Sequence, residues 1–132
     1  MENEAKQVVI DFLTAVQLHN REKAGTLMDS AIQWDQPGNN VLSGIKKSIA
    51  EVMQMGIDMG GIAEQSLELS DIEVVAVNGN TIACLLHWNA SLQSGKVLDV
   101  DNIDVYDVAD GKIIKAKVYS ADLVQEDKFW GR

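Results

Sequence analysis

The stretch Gln93-Ser94-Gly95-Lys96-Val97-Leu98-Asp99-Val100-Asp101-Asn102-Ile103-Asp104-Val105-Tyr106-Asp107-Val108-Ala109-Asp110-Gly111-Lys112-Ile113-Ile114 decides the fold. Apolar and polar residues alternate along its middle, the pattern of a strand with two unlike faces, and Ser94-Gly95 and Asp110-Gly111 bound it with turn chemistry. A strand closed at both ends by hairpin turns has antiparallel neighbours. With Asn78-Gly79 as a further turn and β-branched residues dominating from Ile62 onward, four successive antiparallel strands are expected.

The chain ahead of Ile62 reads differently. In residues 4 to 19, Ala5, Val8, Val9, Phe12, Ala15 and Val16 recur at intervals of three and four, which makes an amphipathic helix that Asn3 can cap. A shorter helix is expected from Asn20, a second cap candidate, to Met28, with Ala24, Leu27 and Met28 buried. Residues 31 to 35 read as extended. Gln36-Pro37-Gly38-Asn39-Asn40 must be a loop, since Pro lacks an amide donor and Gly and Asn tolerate left-handed backbone. A third helix is expected from near Ser43, carrying Ile45, Ile49, Val52 and Met53 inward until Gly60-Gly61 ends it. The order helix, helix, strand, helix and then four strands is α+β: three helices on one side of a curved, mainly antiparallel sheet, a cone with a cavity between the layers.

The 132 residues support one domain, 1–132, and a composition 46% hydrophobic and 23% charged is that of a chain able to bury a core. With 11 Lys and Arg against 20 Asp and Glu, the net charge is −9, so neither nucleic acid nor an anionic membrane is an expected partner. The start lacks the basic flank and apolar run of a secretory signal, and no run approaches a membrane span, so a cytoplasmic protein is expected. One cysteine, Cys84, allows no internal disulfide, and two histidines, His19 and His87, give no metal-ligand spacing. No Walker loop, Rossmann glycine pattern or Ser-His-Asp ordering is present, so any chemistry is expected to be free of cofactor and metal.

Register arithmetic assigns the faces. A two-residue Ser94-Gly95 loop pairs Gln93 with Lys96, His87 with Asn102 and Leu85 with Asp104. His87, Asn89, Asn102 and Asp104 then share one face, and Ile82, Cys84, Leu86, Trp88, Ile103 and Val105 the other. The next turn has two readings. A two-residue Asp110-Gly111 loop pairs Asp104 with Lys117. The preferred three-residue Ala109-Asp110-Gly111 loop pairs it with Ala116, placing Ile114, Ala116 and Val118 inside and Lys115 and Lys117 outside. The mixed polar face suits a ligand cavity. The outer face, with Leu86, Trp88, Ile103 and Val105, is then an exposed apolar patch, and a homodimer through it explains the patch. In the alternative the more apolar face is the core and the polar one is solvated.

The order of elements, with Trp34-Asp35-Gln36-Pro37-Gly38 before the third helix, Asp110-Gly111-Lys112-Ile113 at the last turn and the acidic tail Gln125-Glu126-Asp127-Lys128-Phe129-Trp130, resembles the SnoaL-like proteins of the nuclear transport factor two-like superfamily. The resemblance covers essentially the whole chain and implies a cystatin-like cone. A narrower likeness to ketosteroid isomerase implies Asp35 as general base and Asp104 as a protonated acid in an oxyanion hole. It also sets Phe12 where that family carries a hydroxyl-bearing Tyr, and turns His87 and Asn89 inward. Two carboxyl groups in one dry cavity can have their proton affinities pushed apart, giving an acid and a base at neutral pH.

The expected site is therefore Asp35, Asp104 and His87 as catalytic groups, with Phe12, Trp34, Asn89, Asn102, Ala116, Val118 and Trp130 around a small-molecule ligand. The expected function is cofactor-independent acid–base chemistry of the isomerase, cyclase or hydratase type on a small apolar carbonyl or polyketide-like compound. A noncatalytic ligand-binding protein and a dimeric association module are the alternatives.

Overall fold

The computed structural model describes residues 2–132, with side chains from residue 4 onward. Its elements are α1 (Glu2–Gln17), α2 (Arg21–Thr26), β1 (Met28–Gln36), β2 (Gly44–Lys46), α3 (Ile49–Ile62), β3 (Glu68–Asn78), β4 (Thr81–Ser91), β5 (Val97–Ala109), β6 (Lys112–Ser120) and α4 (Leu123–Trp130). The strands form one sheet in the order β2-β1-β6-β5-β4-β3. All neighbours are antiparallel except β1 and β6, which run parallel because the helix-containing stretch separates β1 from the strands that follow. The α+β architecture is thus the expected one. Among the described residues no helix is long and apolar enough to cross a membrane.

The helix stripe predicted for α1 is the one that packs: Ala5, Val9, Phe12 and Ala15 are buried against the sheet. The helix begins at Glu2, ahead of Asn3, whose side chain lies outside the described ones. Asn20 does cap α2, its side chain accepting the Lys23 N–H at 3.1 Å. That helix stops at Thr26, however, and Met28 opens β1 instead of closing the helix. The region near Ser43 is also corrected. Gly44–Lys46 is a short edge strand on β1, Ile45 is exposed, and α3 starts only after Ser48, whose hydroxyl accepts the Glu51 N–H. A Ser with a Glu three residues on is a stronger start signal than apolar spacing, and Lys47 N–H bonding to Glu51 Oε1 adds to it.

The decisive correction is in the β4–β5 register. Leu92 N–H donates to the Lys96 carbonyl, so the connection is the three-residue loop Gln93-Ser94-Gly95 with Gly95 at φ +96°. His87 therefore pairs with Asp101, and Leu86 with Asn102. One residue of slip exchanges the faces of a whole strand. Ile82, Cys84 and Leu86 are fully buried on the inner face beside Asn102 and Asp104, while His87 and Asn89 point outward.

At the β5–β6 turn the two-residue loop forms, with Asp110 and Gly111 both in the left-handed region (φ +51° and +75°). A bulge then shifts the pairing from Val108 with Ile113 to Asp107 with Lys115 and leaves Ile114 over. Asp104 accordingly pairs with Val118, which neither turn reading gave. Ala116 and Val118 face inward and Lys115 and Lys117 outward as expected, but Ile113 is the buried residue and Ile114 is exposed.

Candidate functional site

Between the concave sheet face and the helices lies a cavity of about 220 Å³. A buried water needs only about 10–15 Å³, so this space is not a packing defect. Its walls are largely apolar. α1 supplies Phe12, Leu13 and Val16, and α3 supplies Val52, Met55 and the half-buried Met53 and Met59. Flexible thioethers along one wall suit an adaptable ligand surface.

The inner face of the sheet brings the polar groups. On β5, Asn102, Asp104 and Tyr106 project side by side because they are two residues apart. The Tyr106 hydroxyl donates to Asp104 Oδ2 at 2.7 Å, while Asp104 Oδ1 is buried with no partner. Burial pushes the Asp104 acid up to about 7, against the Tyr106 hydrogen bond that favours its charge and with the help of the Glu126 carboxyl. The phenol of Tyr106 is driven far up as well, by burial first and then by Asp104. Phe12, Trp34 and Tyr106 pack as three tilted rings with centroids 5.9–6.2 Å apart, and the Trp34 indole N–H donates to Gln36 Oε1 at 3.0 Å.

The second carboxyl comes from α4. Asp122 caps this helix, accepting the Gln125 N–H, and the helix lies across β5 so that Glu126 and Trp130 reach the cavity. Glu126 is 4% exposed. Burial lifts its acid above the ordinary range, opposed by the Ser120 hydroxyl and the nearby Trp130 indole. That indole N–H closes no hydrogen bond of full geometry. The Asn102 amide, turned so that its nitrogen faces acceptors, donates to Glu126 Oε2 at 3.2 Å and to the Asp101 carbonyl at 2.9 Å. α4 is in turn latched to the Pro37-Gly38 loop: Asp127 Oδ1 accepts the Asn39 N–H at 2.8 Å and the Asn40 side-chain amide at 2.9 Å.

Of the residues expected from sequence, Phe12, Trp34, Asn102, Asp104, Val118 and Trp130 line this cavity together. Ala116 is buried on the same sheet face without lining it. Asp35, His87 and Asn89 do not reach it. Asp35 alternates with the inward Trp34 and Gln36, pairs with Ile45 and Lys117, and so lies on the outer face. His87 is held there by Asp101 Oδ1 on Nδ1 (2.7 Å) and Asp99 Oδ1 on Nε2 (2.5 Å). Leu86 and Trp88, expected on the outer patch, face inward. Tyr106, Gln36 and Glu126 were missed. The two-residue spacing from Asp104 to Tyr106 was a usable signal for the first, whereas nothing local marks Glu126.

The Asp101 hydrogen bond, with Asp99 beside it, holds the His87 imidazole above its ordinary value despite some burial. Its stabilising contribution is therefore complete below the ordinary imidazole value and disappears as pH rises through the raised one. His87→Ala is expected to lower the melting temperature only on the acid side of that window and to leave affinity for any cavity ligand within about twofold. Thermal melts and titrations at several pH values check both. Cys84 is no nucleophile here, as burial and then Asp104 push its thiol up to about 12.

Comparison with known proteins agrees with this frame. The family model for the SnoaL-like domain matches residues 9–116. A cystatin-like protein of unknown function from Xanthomonas campestris is 28% identical, with a TM-score of 0.91 over 97% of this chain and 98% of that one. A nuclear transport factor 2-like protein from Burkholderia xenovorans is 18% identical, with a TM-score of 0.81 over 99% and 98% of the two chains. TerC, co-crystallised with polyporic acid, is 14% identical, with a TM-score of 0.82 over 96% and 97%. The last two likenesses are of fold alone. No curated protein matches the chain. A family match over most of its length, on a helix-backed sheet that its structural neighbours repeat, means that this chain belongs to the SnoaL-like domain family.

Proposed function

We propose that this protein is a cofactor-independent acid–base enzyme acting on a small, largely apolar carbonyl or polyketide-like compound. The observation that carries the reading is the pairing of Asp104 and Glu126 in one mostly apolar cavity, both acids lifted by burial, with Asp104 Oδ1 unpartnered. Near neutrality Asp104 is protonated in a good part of the molecules and can donate a hydrogen bond from Oδ1 to a carbonyl oxygen while Oδ2 accepts from Tyr106. As charge develops on that oxygen, the Asp104 proton moves toward it. The Glu126 carboxylate, oriented by Asn102, takes the proton from the adjacent carbon, and returning it to another atom completes an isomerisation or ring closure. That TerC shares the fold and was crystallised with polyporic acid supports a small organic ligand in this space.

The test uses 2-naphthol as a probe for the cavity and 2-tetralone as a probe for chemistry. Saturable 2-naphthol binding, together with α-deuterium exchange of 2-tetralone in D2O above the buffer rate, is the expected result. Binding without accelerated exchange leaves the noncatalytic reading, which the position of Phe12 favours: it gives the cavity a ring face where a hydroxyl donor is otherwise expected.

The proposal extends to assembly, with a second copy against the outer sheet face. Ile103 and Tyr119 are 39% and 50% exposed there. The β3–β5 half of that face bears Asp71, Glu73, Asp99 and Asp101, and β6 bears Lys115 and Lys117, so a twofold pairing sets unlike charges against each other. A dimer in sedimentation equilibrium that dissociates in the Ile103→Lys variant is expected, and a monomer at all concentrations removes this part.

A further inference from the structure

The cavity also has a polar rim. Where its lining meets solvent the polar residues are His19, Asn20, Arg21 and Gln65, all exposed. The chain has 20 acidic residues against 11 basic ones, yet among the described residues the only carboxyls in the lining are the buried Asp104 and Glu126. The rim is thus free of acidic side chains and holds one guanidinium, which makes no hydrogen bond or ion pair among the described residues.

The heads of two rim residues converge over a bare glycine. A methyl group at Gly60 would lie 3.3 Å from Arg21 Nη2, and 3.5 and 3.6 Å from Oε1 and Nε2 of Gln65. Backbone geometry brings Gln65 there at a cost. Glu64 and Gln65 are both left-handed (φ +55° and +62°), and the Gln65 N–H bonds to the Gly60 carbonyl at 2.9 Å. His19 is left-handed as well, at φ +58°.

We infer that the ligand is an amphipathic carboxylic acid, whose carboxylate is taken by Arg21 and the Gln65 amide at the rim while its apolar body occupies the cavity. This rests on the reading of the cavity as a ligand site that ends at Asp104. A guanidinium offers paired N–H donors matched to the two oxygens of a carboxylate, and the Gln65 nitrogen adds a third donor. One cation and one amide suit a monoanion better than a phosphate dianion. The buried, unpartnered Asp104 Oδ1 meets the other polar end of such a molecule.

The test compares 4-hydroxybenzoate and 6-hydroxy-2-naphthoate with their primary amides, two lengths of one design, by fluorescence or calorimetric titration. At least one acid is expected to bind about fivefold more tightly than its amide, the scale of a part-exposed ion pair. The preference falls as salt is raised, and it is lost in Arg21→Met, whose position is exposed and whose fold a thermal melt verifies. Gly60→Leu, which crowds the two heads apart without changing charge, lowers the preference independently. Acids and amides that bind equally well, with binding still dependent on Asp104, overturn the rim assignment and leave the cavity reading intact. If neither acids, amides nor 2-naphthol bind, both readings fall.

Discussion

Replacing Asp104 with Asn is expected to cut α-proton exchange by about 10²–10⁴-fold, the usual contribution of a positioned acid or base. The same change is expected to flatten the dependence of stability on pH. An acid raised from 3.8 to about 7 by burial binds its proton more tightly in the folded than in the unfolded chain. Its contribution is therefore intact below the unfolded value and is lost as pH rises from about 4 to about 7, after which it stays constant. The loss over that window is on the order of 4 kcal/mol. Urea denaturation at pH 4, 6 and 8 should show wild-type stability falling with pH and the Asn variant losing most of that slope. Tyr106→Phe moves the effect the other way. Without the hydroxyl that favours the carboxylate, the Asp104 acid rises further and the stability loss extends to higher pH. Equal slopes in all three proteins would show that Asp104 is not the buried acid described here.

Gly38→Ala is the second large effect. Gly38 has φ +93°, and a Cβ there would stand 2.6 Å from Asp127 Oδ1 and 2.9 Å from the Asn40 side-chain nitrogen. Left-handed strain and the forced displacement of the Asp127 latch together are expected to cost about 2–3 kcal/mol. The functional consequence follows from position, since Asp127 adjoins Glu126 and its hydrogen bonds to the Pro37-Gly38 loop hold α4 across the cavity. Gly38→Ala should thus weaken 2-naphthol binding as well as stability. In a double-mutant cycle Asp127→Ala removes the clashing oxygen, so the double variant is expected to lose less than the two single variants together. Strict additivity, read from chemical denaturation, would mean that loop and helix are not coupled through this contact.

The frame was legible because the signals behind it are local. The three-and-four spacing from Ala5 to Val16, the Asn20 cap and the turn residues at Asn78-Gly79 each act within a few residues, and each forms the predicted kind of element or turn, whereas Asp110-Gly111 turns the chain in two residues and not in the preferred three. β2 was not legible: three residues have no periodicity, and Gly44–Lys46 is extended only because β1 offers an edge. The site was read in part. Phe12, Trp34, Asn102, Asp104, Val118 and Trp130 do meet in the cavity. The base assigned to Asp35 failed because inward Trp34 and Gln36 flank it, and His87 failed with the register.

By itself the sequence determined the order of elements, the antiparallel hairpins and the alternation that makes every strand two-faced, since these depend on neighbours in the chain. Which face looks inward depends on whether a turn spends two residues or three and on where a bulge adds one. The choice is made by burial of Ile82, Cys84 and Leu86 against the helices. Only the tertiary structure could decide that Glu126, and not Asp35, joins Asp104. A helix capped at Asp122 and latched through Asp127 carries that carboxyl across the sheet, and no spacing in the chain encodes how the helix lies.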